Sequence, residues 1–317
     1  MEMTQTLAAQ KVWGWKVAAY LFLAGMGAGA YLIGFILSLA NPEFILLYKV
    51  AIILAAPLVI VGMLLLVLDL GQKTLAPLVL LRPLSSWIAR GSIIVTVFVI
   101  IDLIHIGLWI WPATWLAARP DSLLVVGSIG SVFAVLTMIY TGLLLGAAKP
   151  ISFWSPVILP VLFLVSGVST GMMGVAFILS IYGLSAGITG EQLLVLARYD
   201  VFLIIVEALI IGFYLYRMHQ LAEARISAGM VLTGSLAVRF WGGVVVAGLV
   251  IPFVVELYDA YLSAAAPGAM LVPTAVASII GLFGGLMLRH IIVAGGARMP
   301  LNVEGVLLPI SDTYQVY

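Results

Sequence analysis

The chain reads as an all-α polytopic membrane protein: eight transmembrane helices packed as one bundle, with both termini in the cytoplasm. Three observations predict this. Apolar residues fill 64% of the 317 positions, charged residues only 9%, and mean hydropathy is +1.26, whereas a soluble domain carries about 25% charged residues. Eight apolar stretches reach the roughly 20 residues that a helix needs to cross the hydrocarbon core. The basic residues between them collect on one side.

The stretches fall at 15–38, 48–70, 90–111, 127–148, 155–182, 198–219, 238–260 and 270–294. Lipid offers no partner to a backbone amide, so each is predicted to be a helix; the alternating pattern of a barrel strand is absent. The first could pass for a signal peptide, since Lys11 and Lys16 precede an apolar run ending at Ser38-Leu39-Ala40. Its apolar core is about twice the usual length, so it is expected to be a retained helix. Its Gly25 and Gly29 form a small-xxx-small surface that admits a second helix or a flat ligand. The second ends at Asp69. The third carries Asp102 and His105, and the fourth Tyr140. The fifth opens on Pro156 and Pro160 and continues Ser166-Gly167-Val168-Ser169-Thr170-Gly171, which suits a kinked, partly polar helix beside a cavity. The sixth buries Glu207 among aliphatic residues, and the seventh ends near Glu256 and Asp259.

An even number of spans puts both termini on one face. That face collects Lys11, Lys16, Lys73, Arg82, Arg90, Lys149, Arg217, Arg225, Arg239, Arg289 and Arg298, 11 of the 14 basic residues; Lys49, Arg119 and Arg198 fall opposite. The positive-inside rule makes the first face cytoplasmic. Trp13 and Trp15 are then inner interface anchors, and Trp109, Trp111 and Trp115 outer ones. Residues 1–317 are expected to form a single membrane domain in a cell (cytoplasmic) membrane, with no catalytic module attached. Its net charge of +1 says nothing about partners, and no nucleic acid is expected among them.

With zero cysteines, the protein can hold neither a thiolate-ligated iron–sulfur cluster nor covalent haem. Its three histidines, His105, His219 and His290, cannot build the two facing pairs of a di-haem cytochrome. No lysine follows Lys149, so no late helix offers a retinal Schiff base.

Ionisable residues in lipid are costly and become functional candidates by default. Asp102 and His105 lie three apart, on one helical face and toward the outer interface. A carboxylate beside an imidazole suits proton exchange with a redox ligand; a buried polar pair joining two helices is the alternative. Glu207, near mid-depth, serves either as a proton relay or as a helix-to-helix hydrogen bond. With Tyr140, Ser166 and Asp69 it outlines an inner half-channel. Glu256 belongs to the outer interface or faces a cavity.

Several motifs together resemble the NrfD/PsrC family, the membrane subunits of polysulfide reductase and its relatives. They are Trp13-Gly14-Trp15 with the run from Tyr20 to Ala30, Leu68-Asp69-Leu70-Gly71, Arg82-Pro83-Leu84-Ser85-Ser86-Trp87 with Gly91, and Tyr140-Thr141-Gly142. Lys149-Pro150, Trp154, the stretch Leu159 to Gly171, and Arg289 with Ala294-Gly295 complete the set in family order. Gln72-Lys73 departs from the Arg-Pro that many relatives carry there.

The resemblance implies a cofactor-free anchor that binds a quinone (menaquinone or ubiquinone). It also implies an outer iron–sulfur, ferredoxin-like partner subunit, with a molybdopterin catalytic subunit beyond it. The head group is expected near the outer ends of spans 1 to 4, at His105 with Asp102 behind it, close to Gly25, Gly29 and Tyr140. The second reading is a secondary transporter or channel that uses Glu207 as its coupling carboxylate.

Overall fold

The computed structural model describes residues 13–69, 87–110, 120–147, 151–154, 157–186, 190–261, 271–297, 301–303 and 306–308. Long helices occupy the predicted places: α1 (Trp15–Ala40), α2 (Ile45–Asp69), α3 (Trp87–Ile110), α4 (Pro120–Gly146), α5 (Ile158–Ala186) and α6 (Glu191–Gln220). A short α7 (Arg225–Leu232) follows, then a π-helical segment (Arg239–Val250) that runs straight into α8 (Ile251–Tyr261), and finally α9 (Leu271–Ala294). An antiparallel hairpin of two three-residue strands, Leu301–Val303 and Val306–Leu308, ends the described residues.

Seven of these helical stretches are long and apolar enough to cross a membrane. The other long helix, α6, spans about 45 Å at 1.5 Å per residue, and it carries Arg198, Asp200, Glu207 and Arg217. Trp111, Trp115, Arg82 and the two termini lie outside the described residues, as do Lys11, Lys73, Lys149, Pro156 and Arg298.

Two points go beyond the hydropathy pattern. The predicted seventh span is half π-helix. Pro252 has no N–H for the carbonyl of Gly248, and the Ile251 N–H instead bonds the Val246 carbonyl five residues back. The loop after span 6 contains α7, whose Ser227, Ala228 and Val231 are buried at the end of the bundle.

Two ends can be distinguished. At one, Lys16 of α1 pairs with Asp69 of α2 at 3.6 Å, Trp13 stacks on Trp154 at 5.1 Å, and the Trp154 indole donates to the Ile292 carbonyl at 2.8 Å. Six described basic residues (Lys16, Arg90, Arg217, Arg225, Arg239 and Arg289) lie toward this basic end, against Lys49 and Arg198 toward the other. Lys49 caps the Trp109 ring there at 4.8 Å, which names the Trp109 end.

Helix α1 is the central post, packed on α2, α4, α5 and α9. Lipid gives helices no hydrophobic reason to associate, so close packing of small residues does this work. A Cβ on Gly29 would stand 2.0 Å from the Gly167 carbonyl oxygen of α5, and one on Gly284 would stand 2.0 Å from the Gly248 Cα. Outward faces carry exposed Leu64, Ile100, Phe202, Leu209 and Phe213, the belt expected of a lipid-facing surface.

Candidate functional site

His105 sits on the inward face of α3 about 7.5 Å before that helix ends, given 1.5 Å per residue. Both of its ring nitrogens are engaged. Nδ1 meets the Tyr31 hydroxyl of α1 at 2.7 Å, and Nε2 meets the Tyr48 hydroxyl of α2. Edge-on ring contacts hold the three in place: Tyr31 and Tyr48 lie 5.6 and 5.4 Å from the imidazole centroid. Phe98 packs on Tyr31 at 5.4 Å, and Trp109 packs on Tyr48 at 5.7 Å. Gly130 of α4 leaves the space that the Tyr31 hydroxyl fills, since a Cβ there would stand 2.1 Å from it.

Asp102, one turn away, is fully buried against α2 at Ala56. Neither carboxyl oxygen makes a hydrogen bond of ordinary geometry among the described residues. Asp102 and His105 therefore share the face that their spacing predicts, but the imidazole is held by two tyrosines rather than by the carboxylate. Tyr48 packs against Trp109, whose indole lies under Lys49 on the side of the Trp109 end.

The other sequence candidates separate. Gly25 and Gly29 face Gly167 of α5, and Gly25 also faces the Arg289 guanidinium. A helix backbone fills the surface that the sequence leaves open to a flat ligand, so these glycines serve packing. Tyr140 is buried elsewhere, its ring lying where a Cβ on Gly91 would sit, and its hydroxyl has no hydrogen-bond partner among the described residues. Asp69 pairs with Lys16 at the basic end.

Glu207 and Ser166 do come together, around a residue that sequence reasoning places at the inner face. Arg289 is 0% exposed; its Nη1 donates to the Ser166 hydroxyl and, at 3.1 Å, to the Gly285 carbonyl. Its guanidinium lies 5.2 Å from the Phe163 ring centroid and within electrostatic reach of Glu207. Asp200, Glu256 and Asp259 are buried nearby on α6 and α8.

Tyr31, Tyr48 and Asp200 are not singled out by the sequence, and Arg289 stands out there only as an inner-face cation and a motif residue. Asp200 has a readable signal, lying seven residues before Glu207 and so on the same helical face.

Comparison with known proteins decides the family. The family described as "Polysulphide reductase, NrfD" matches residues 2–300. The protein belongs to the NrfD family. Members of this family are polytopic membrane subunits of respiratory oxidoreductase complexes. The sequence is 30% identical to the C subunit of polysulfide reductase from Wolinella succinogenes over 272 residues, 78% of this protein and 83% of that one. It is 31% identical to protein NrfD of Escherichia coli over 193 residues, 53% of this protein and 61% of that one. A NrfD homolog of Haemophilus influenzae shares 24% identity over 275 residues, covering 78% and 84% of the two proteins.

Proposed function

We propose that this NrfD-family protein is the quinone-reactive anchor of a respiratory oxidoreductase. It lies in the cytoplasmic membrane with eight spans and both termini inside. It exchanges electrons between a menaquinone or ubiquinone pool and an iron–sulfur, ferredoxin-like subunit docked on the Trp109 end, with a molybdopterin catalytic subunit beyond. The basic residues support this orientation, and the family favours a redox subunit over a transporter. A protein with no cysteine has no thiolate cluster of its own, so its electrons come from or go to a partner.

The observation that carries the reading is the buried Tyr31–His105–Tyr48 relay, with Asp102 alongside. Its donor set fits a quinone head group, which carries two oxygens that must each be hydrogen-bonded and protonated or deprotonated. When bound, a quinone supplies two-electron, two-proton chemistry. Tyr48 is the member that packs against Trp109, so its hydroxyl holds a head-group oxygen. His105 Nε2 returns or accepts the proton that Tyr48 passes, and Tyr31 on Nδ1 fixes the ring's orientation and tautomer. Trp109, packed edge-on against Tyr48, limits water at that hydroxyl.

The test is His105→Ala in the intact complex. Quinone-linked turnover should be lost while the complex assembles with its normal subunits. Normal turnover would make the relay a structural hydrogen-bond network and overturn the proposal.

A further inference from the structure

A second polar system runs through the other half of the bundle, on α5, α6, α8 and α9, away from His105. Along α9 it extends from Thr274 to Arg289, fifteen residues or about 22 Å of a core about 30 Å thick. At the Trp109 end the Thr274 hydroxyl reaches Asp259 at 3.5 Å. Glu256 lies one turn further in on α8 and approaches Asp200 of α6. Asp200 also neighbours Ser169 of α5, yet neither of its oxygens has a hydrogen bond of ordinary geometry among the described residues, although only 1% of its surface is exposed. Glu207 stands about 10.5 Å further along α6, facing Arg289 from α9 and Ser166 from α5.

Two further observations show what this polar row can do. A cavity of about 10 Å³ opens beside Glu207, lined by Ser169, Thr170, Gly248, Gly281 and Gly285. That is room for about one water, and hydroxyl and carboxyl groups stand ready to bind it. The basic end, by contrast, carries a cluster of buried aromatic residues among the described residues. Phe153, Trp154 and Tyr214 are all buried there, with the Tyr214 hydroxyl on the Phe153 carbonyl, Trp154 bonded to Ile292, and Trp13 stacked on top. An inner half-channel through Glu207, as the sequence suggests, would have to pass this aromatic cluster.

We infer that Glu207 exchanges protons with the Trp109 side of the membrane, through Asp200, Glu256 and Asp259, and that Arg289 is the fixed counter-charge on which the row ends. A proton leaves the Glu207 carboxyl for the cavity water, which passes one to the Asp200 carboxylate. Glu256 and Asp259 relay it to the water at that end. Glu207 is left as a carboxylate facing the Arg289 guanidinium, and the reverse sequence reloads it. Among the described residues, the ionisable groups facing Glu207 are Arg289 from α9, Asp200 from its own helix, and Glu256 and Asp259 beyond it on α8; α5 adds hydroxyls. This proton exchange needs no quinone and is independent of His105.

The experiment uses the intact complex in sealed vesicles of known sidedness. The pH is stepped on one side while a trapped buffer clamps the other. The readout is the infrared carboxyl band that Glu207→Gln removes. The band should follow the pH on the Trp109 side, and Asp200→Asn should slow its response at least tenfold. If that variant does not assemble, Asp259→Asn serves with the same expectation. A band that follows the basic side, that follows neither side, or that responds at the wild-type rate in the variants would overturn the inference.

Discussion

Replacing Gly29 by alanine tests whether the packing of α1 sets the geometry of the His105 relay. The new Cβ would stand 2.0 Å from the Gly167 carbonyl oxygen, 2.5 Å from its carbon and 2.9 Å from the Val168 Cα. All three are backbone atoms, so no rotamer change relieves the contact. Ordinary contact begins at 3.4 Å, so the two helices must separate by 1.4 Å along the shortest line. Overpacking of this kind costs about 1–3 kcal/mol. Tyr31 lies two residues further along α1, and its bond to His105 is 2.7 Å. A shift of this size takes that bond out of hydrogen-bonding range, and a misplacement of about 1 Å at a reacting centre can cost about 100-fold in rate.

Gly212→Ala is the control. Nothing lies within 4 Å of a Cβ there, so the change should be neutral or stabilising by up to about 1 kcal/mol. Thermal unfolding of the detergent-solubilised complex, read beside quinone-linked turnover, gives both quantities. Gly29→Ala should lower the midpoint and cut turnover at least tenfold, while Gly212→Ala should change neither downward. A Gly29→Ala protein with wild-type midpoint and turnover would show that the packing of α1 on α5 does not set the geometry at His105.

Other expectations follow from the same geometry. Tyr48→Phe removes the hydroxyl of the tyrosine packed against Trp109 and should reduce turnover more than Tyr31→Phe, whose hydroxyl only orients the ring; steady-state kinetics with a soluble quinol separates the two. Lys16→Gln should shift stability by less than about 1 kcal/mol, because its pair with Asp69 is 3.6 Å long and partly solvated; a larger loss in thermal unfolding would assign that pair a structural role. Reporter fusions at Tyr317 should behave as cytoplasmic and fusions near Arg119 as external, and the reverse pattern would place the Trp109 end inside.

The membrane-spanning helices are legible because hydropathy is a sum over many residues and tolerates local error. Residues 238–260 announce a helix but not its π-helical half, which depends on how Gly248 approaches Gly284 and on which carbonyl the Ile251 N–H selects. Asp102 and His105 stand out because titratable groups in an apolar run are rare. Tyr31 and Tyr48 do not, since a tyrosine in a span or at its entry is ordinary and only three-dimensional packing brings them onto one imidazole. Arg289 reads as a basic-end cation from its nearness to a loop, whereas the helix turns it inward against Phe163 and Ser166. The glycines of α1 read as open to a helix or a ligand, and only the position of Gly167 decides between them.

On this proposal a quinone head group is held at Tyr48 and His105. A photoreactive quinone analogue, cross-linked in the intact complex and located by peptide mass spectrometry, tests it most directly. Label is expected at the start of α2 and the end of α3, around Tyr48, Lys49 and Trp109, suppressed by excess native quinone and lost in Tyr48→Phe. Quinone-protected label confined to α5, α6 and α9 around Glu207 would contradict that placement.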